Sequence, residues 1–232
     1  MSDAGDMRMH IKLTLITTIL SAAVALQAGE ADNRRLEEAN GMFKEIMDTP
    51  DRAIPRDLLR NSQCMVLVPG LKKAGFIVAA KFGRGFVLCR APGGWSAPVA
   101  VRVEGGSVGF QIGASETDII LLVRSKSGMD HLLSSKFTLG ADASIAAGPV
   151  GRESTADTDL SMHAEILSWS RSRGVFAGIA LQGATLRPDE DTDKDLYGHA
   201  IDRREVLNGK VPPPPQAVEL IETLTRYSGV GK

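Results

Sequence analysis

Seven basic residues stand among glycines in this chain: Lys72, Lys73, Lys81, Arg84, Arg152, Arg171 and Arg173. Lys72 and Lys73 follow Pro69-Gly70, and Lys81 and Arg84 lie on either side of Gly83. Arg152 closes Gly148-Pro149-Val150-Gly151, while Arg171 and Arg173 precede Gly174. Glycine-rich stretches between apolar runs read as turns, and turns are where a rigid β scaffold displays its binding groups. If these turns gather at one end, they form a cationic rim suited to phosphate headgroups. The alternative is a set of separate solubilising charges, and only spatial clustering distinguishes the two.

Other chemistry finds little support. A phosphate-binding loop needs a strand, a glycine-rich turn and then a helix, whereas Gly83-Arg84-Gly85 lies between two strand-like runs. Gly106-Ser107-Val108-Gly109 lacks the spacing of a hydrolase serine elbow. His10, His131, His163 and His199 are scattered without metal-ligand spacing. His163 and Glu165 share one face of a strand pattern and read as solvated. Glu116 and Asp118 are two apart, but no partner supports an acid–base role. Cys64 and Cys89 fall inside apolar runs and are expected to be unpaired core residues, too few for a zinc site. The expectation is a protein that is not an enzyme and carries no cofactor or metal.

The elements that hold these residues follow from composition and periodicity. The chain has 232 residues, 43% hydrophobic and 24% charged, which suits one globular domain. A net charge of -1 gives no global field to recruit nucleic acid, so electrostatic targeting must be local. Arg8, His10 and Lys12 precede an uncharged run, Leu13 to Ala28, that ends in small residues. This is the pattern of a secretory signal peptide over residues 1–28, cleaved after Ala25 or Ala28; a retained anchor is the alternative. The mature domain, 29–232, is then exported, periplasmic or secreted, and able to associate peripherally with a membrane.

Leu36, Ala39, Phe43, Ile46 and Met47 give one apolar stripe on a helix from about Asp32 to Met47. Its other face mixes acidic and basic residues, so it is expected to pack on its own domain. A short helix spans about Pro55 to Asn61. Short runs then alternate with turn signals: 64–68, 74–80, 86–89, 99–104, 108–112 and 118–123 read as antiparallel strands and hairpins. A helical turn near 129–133 interrupts them, and strands resume at 141–147, 159–170 and 174–181. Asp189 to Asp195 reads as an acidic loop. Helical pieces follow at about 200–207 and 216–227, separated by Pro212 to Pro215 as a stiff spacer. Trp95, directly after a glycine pair, is expected to be buried with its N–H satisfied.

The same blocks resemble the SYLF domain. They are Pro69 to Phe76, Gly83 to Val87, Gly94 to Pro98, Gly105 to Ala114, Leu139 to Asp142, Ala147 to Arg152, Ser172 to Gly178 and Tyr197-Gly198. The likeness covers roughly Arg34 to Leu224, and its specificity lies in so many ordered blocks. It implies an α+β fold, a curved antiparallel β-sheet or partial barrel with N-terminal and C-terminal flanking helices, in agreement with the strand pattern. It also implies binding to phospholipid headgroups at a membrane surface, so the expected partner is an anionic phospholipid or membrane surface. Eukaryotic members bind phosphoinositides, some yeast members also bind actin, and bacterial members resemble exported or envelope lipid-binding proteins. A basic N-terminal helix serves lipid contact in eukaryotic members. Here a signal-like segment and a charge-balanced helix stand in that place. The competing function is an envelope structural or protein-interaction module without lipid specificity.

Overall fold

A computed structural model describes residues 29–49, 53–75, 78–108, 113–148, 163–172, 175–176, 181 and 183–229. The signal-like segment, 1–28, lies outside them.

The first helix, α1, covers 29–47. Its stripe of Leu36, Ala39, Phe43, Ile46 and Met47 is buried, as the spacing predicts. Helix α2, Arg56–Asn61, starts after Pro55, whose missing N–H costs nothing there. The strands are β1 (Cys64–Gly75), β2 (Val78–Ala91), β3 (Gly94–Trp95), β4 (Val99–Val108) and β5 (Gly113–Val123). After α3 (Lys126–Leu132) come β6 (Phe137–Thr138), β7 (Ile145–Ala147), β8 (Ile166–Ser172), β9 (Val175–Phe176) and β10 (Thr185–Pro188). The chain closes with α4 (Glu190–Tyr197), α5 (Arg203–Leu207), a 3-10 turn at Pro215–Ala217 and α6 (Val218–Ser228).

The strands form one curled sheet in the order β6-β10-β4-β2-β1-β5-β8-β7, with β3 on β2 and β9 on β8. All pairs are antiparallel except β7 with β8, which run parallel. The class is therefore α+β, a half-barrel with helices at both ends of the chain, its sheet mixed by that one pair.

Apolar residues on both sheet faces explain the uninterrupted runs in β1 and β5. Met65, Leu67, Phe86, Leu88, Ile120 and Leu122 face α1 and α6, meeting Phe43, Ile46, Leu220 and Leu224. Val66, Val68, Val87, Ile119 and Leu121 face inward, against Phe137, Leu139, Val206 and Leu207.

Three expectations are corrected. Pro69-Gly70 does not end a strand, because β1 continues through it as a bulge between Val68 and Leu71. Gly70 takes φ 59°, which glycine allows at little cost. Its N–H donates to Asp118 Oδ1 at 2.9 Å, which pins the bulge to β5. Residues 189–195 are not a loop: Asp189 precedes α4, and Glu190, Asp191 and Asp193 fill its first turn, where acidic groups complement the helix dipole. Cys64 and Cys89 are not free. They are directly opposed in the β1–β2 register and form a disulfide, Sγ–Sγ 1.99 Å. Strand register supplies that juxtaposition, which a separation of 25 residues does not reveal.

Candidate functional site

The basic residues sit in strands rather than in turns. Lys72 and Lys73 belong to β1, Lys81 and Arg84 to β2, and Arg171 to β8. Arg152 and Arg173 lie outside the described residues.

Near the far end of the β1–β2 pair, Lys73 is directly opposite Lys81, and Lys72 is directly opposite Phe82. Directly opposed residues share a face of the sheet, so the two pairs point to opposite faces. Lys73 and Lys81 face the inside of the curl, where Lys81 is only 9% exposed. Burial pushes the Lys81 ammonium below its ordinary range, and the charge of Lys73 pushes the same way. On the outer face Lys72 is exposed, with Glu116 of β5 opposite it on its other side. Phe82 beside it is 48% exposed, the one exposed aromatic ring among the described large hydrophobics. An apolar ring beside an ammonium is a combination that suits a membrane interface. The sequence reading missed Phe82, although Lys81-Phe82-Gly83-Arg84 places an aromatic between cations in a segment whose apolar alternation has stopped.

Arg171 and Arg84 are turned to structural partners. The Arg171 guanidinium meets Glu45 of α1 and donates to Asp118 Oδ2 from Nη2 at 2.5 Å and Nε at 3.1 Å. It thereby joins the first helix to the sheet. The contact borders a cleft of about 680 Å³ lined by Glu38, Glu45, Glu116 and Asp118 as well as Gly70. Burial holds the Asp118 carboxyl above its usual range; the Gly70 N–H opposes this and Glu116 reinforces it. The two carboxylates singled out in the sequence therefore share one acidic cleft, and Asp118 works as the clamp of the β1 bulge. Arg84 pairs through Nε with the buried Asp189 at 3.3 Å. His163 is exposed, and Glu165 accepts hydrogen bonds from Ser125 at 3.1 Å and Ser127 at 2.8 Å.

The site is thus a curled sheet that presents lysines and one exposed aromatic ring. Comparison with known proteins gives the chain's family. Residues 104–227 match the Ysc84 family model, described as "Las17-binding protein actin regulator". The chain is 34% identical over 190 residues to the "SH3 domain-containing YSC84-like protein 1" of Rattus norvegicus, covering 80% of this chain and 56% of that protein. It is 35% identical over 182 residues to the protein of that name in Xenopus laevis, covering 77% and 54%. To "LAS seventeen-binding protein 3" of Saccharomyces cerevisiae it is 30% identical over 180 residues, covering 75% and 39%. The chain belongs to the Ysc84, or SYLF, family. It spans about half the length of the mammalian and amphibian relatives it matches, and less of the yeast one.

Proposed function

We propose that this chain is an exported, non-enzymatic lipid-binding module that meets anionic phospholipid headgroups at a membrane surface through the far end of β1 and β2. The observation that carries the reading is Phe82, exposed and directly opposite the exposed Lys72, with Lys73 and Lys81 adjoining on the other face. The lysines supply attraction of ~1 kcal/mol each near an anionic surface, and the ring supplies apolar insertion. Lys81 is only 9% exposed and faces away from Phe82, so direct headgroup contact falls first to Lys72 and the ring. Export is supported by the basic-then-apolar pattern of residues 8–28 and by the Cys64–Cys89 disulfide, a bond that persists in oxidising compartments. Co-sedimentation of the purified chain with phosphatidylcholine vesicles, with and without an anionic lipid, tests the lipid reading. Binding that needs the anionic lipid and falls with salt is the expected result. Equal binding to both vesicles, or to neither, refutes it. Mass measurement from the native host tests export, and the expected product begins after Ala25 or Ala28.

A second reading, a protein-interaction module, is favoured by the words "Las17-binding" in the family description and "LAS seventeen-binding" in the yeast relative's name. Under it, the same exposed face meets a protein partner, and vesicles do not compete for it.

A further inference from the structure

Two residues along β2 from Phe82, on the same outer face, three arginines form a row across three strands. Arg84 of β2 is directly opposite Arg102 of β4, and Arg102 is directly opposite Arg187 of β10. Like charges directly opposed across strands are unfavourable, and neighbouring strands are only ~4.8 Å apart. Two of the three have carboxylate partners. Arg84 meets Asp189 through Nε at 3.3 Å, and Arg187 meets Glu104 through Nε at 3.5 Å. Arg102, in the middle, has no ion pair among the described residues, and its Nε is buried without a hydrogen-bond partner. A buried guanidinium nitrogen left unsatisfied between two further cations is costly to folding and calls for an acceptor. The outer guanidiniums remain reachable, with side chains 37% and 45% exposed.

We propose that the Arg84–Arg102–Arg187 row is an oxyanion site that takes a phosphate monoester. Three donors in a line can each find an oxygen on a group with three terminal oxygens, whereas a carboxylate offers only two. Guanidinium forks match phosphate oxygens in pairs, so arginine rather than lysine suits this position. Asp189 and Glu104 hold the outer arginines in place and cancel two of the three charges, so the anion compensates the central one. The site needs no bilayer and uses none of the lysines of β1, although a lipid seated there would bring its headgroup beside Phe82. The monoester is therefore either the headgroup of a lipid or a soluble phosphate.

The test is calorimetric titration of the full chain with inorganic phosphate and with glycerol 3-phosphate, at constant ionic strength set by chloride. Saturable binding to the parent protein is expected, about ten-fold or more weaker in Arg102→Gln, the loss expected for a hydrogen-bonded charged donor. No vesicle is present in this titration, so it succeeds or fails independently of the membrane reading. Vesicles with and without phosphatidic acid then identify the source. A loss in Arg102→Gln on phosphatidic acid vesicles assigns a lipid headgroup, and a loss confined to the soluble anions assigns a soluble phosphate. If far-ultraviolet circular dichroism shows Arg102→Gln unfolded, Arg187→Gln supplies the same comparison. No saturable phosphate binding by the parent, or equal binding by the folded variant, overturns the site.

Discussion

Trp95 donates its indole N–H to the Ser228 hydroxyl at 2.9 Å, tying the strand after the β2 turn to the last turn of the C-terminal helix. The ring is 6% exposed, and the Arg90 guanidinium lies 4.3 Å from its centre. Trp95→Ala should therefore lower the unfolding free energy by ~3–5 kcal/mol in urea titrations, the cost of emptying a core aromatic site. A loss below ~1 kcal/mol, the range of surface substitutions, would show that α6 does not rest on this ring.

The disulfide makes a second prediction. Cys64 and Cys89 are 25 positions apart in the chain, so the crosslink restricts the unfolded state and should contribute ~3–4 kcal/mol. Cys64→Ala with Cys89→Ala should lose about that much in the same titration. Thiol counting on the denatured, unreduced protein should find none from these two positions. Two reactive thiols per chain would contradict the pairing.

Asp193 makes a prediction about pH. Its carboxylate accepts from the Ala100 N–H at 2.6 Å and pairs with Arg203, inside the packing of α4 on β4. Burial raises its pKa above the ordinary value of 3.8, and the Arg203 charge only partly offsets this. The folded state then holds its proton more tightly than the unfolded chain does. The group's stabilising contribution is thus full below 3.8 and declines as pH rises through the raised folded value. The stability of the parent relative to Asp193→Asn should fall across that window and level off above it. A difference that grows with pH there would reverse the assignment.

Gly85 makes a prediction about strand crowding. A Cβ at this position would lie 2.0 Å from the Leu67 carbonyl oxygen, which is backbone and has little room to move. Gly85→Ala should cost at least the ~3 kcal/mol upper end of ordinary overpacking. Gly106→Ala, which meets nothing within 4 Å, should cost far less. Equal thermal midpoints for the two variants would contradict the close approach of β1 and β2.

Gly85 also shows where the sequence was ambiguous. Glycine marks a turn or a close backbone approach with the same letter. Pro69-Gly70 and Gly83-Arg84-Gly85 resemble turns, yet they lie in long strands whose bulge and crowding require small residues. That ambiguity moved Lys72, Lys73, Lys81 and Arg84 from strands into turns. The helices were more legible, because Leu36, Phe43, Ile46, Leu220 and Leu224 repeat at helical spacing and are all buried. Helix α4 is hard to see in the sequence because acidic residues in a first turn resemble a charged loop, although Gly198 at φ 73° supplies a helix stop. The disulfide, the arginine row and the Phe82–Lys72 pair depend on register between strands, which no local pattern encodes.

The most direct measurement of the membrane reading is co-sedimentation of the parent, Lys72→Glu with Lys73→Glu, and Phe82→Ser with anionic vesicles. Lys72 is exposed and Lys73 half-buried, so the double charge reversal should change stability by no more than ~1 kcal/mol. It should weaken binding ten-fold or more, on the order of two contacts of ~1 kcal/mol each and their reversal. Phe82→Ser should weaken binding at all salt concentrations, whereas the charge-dependent part should vanish as screening shortens its reach to a few ångströms. Folded variants that bind anionic vesicles as tightly as the parent would contradict lipid contact at the end of β1 and β2.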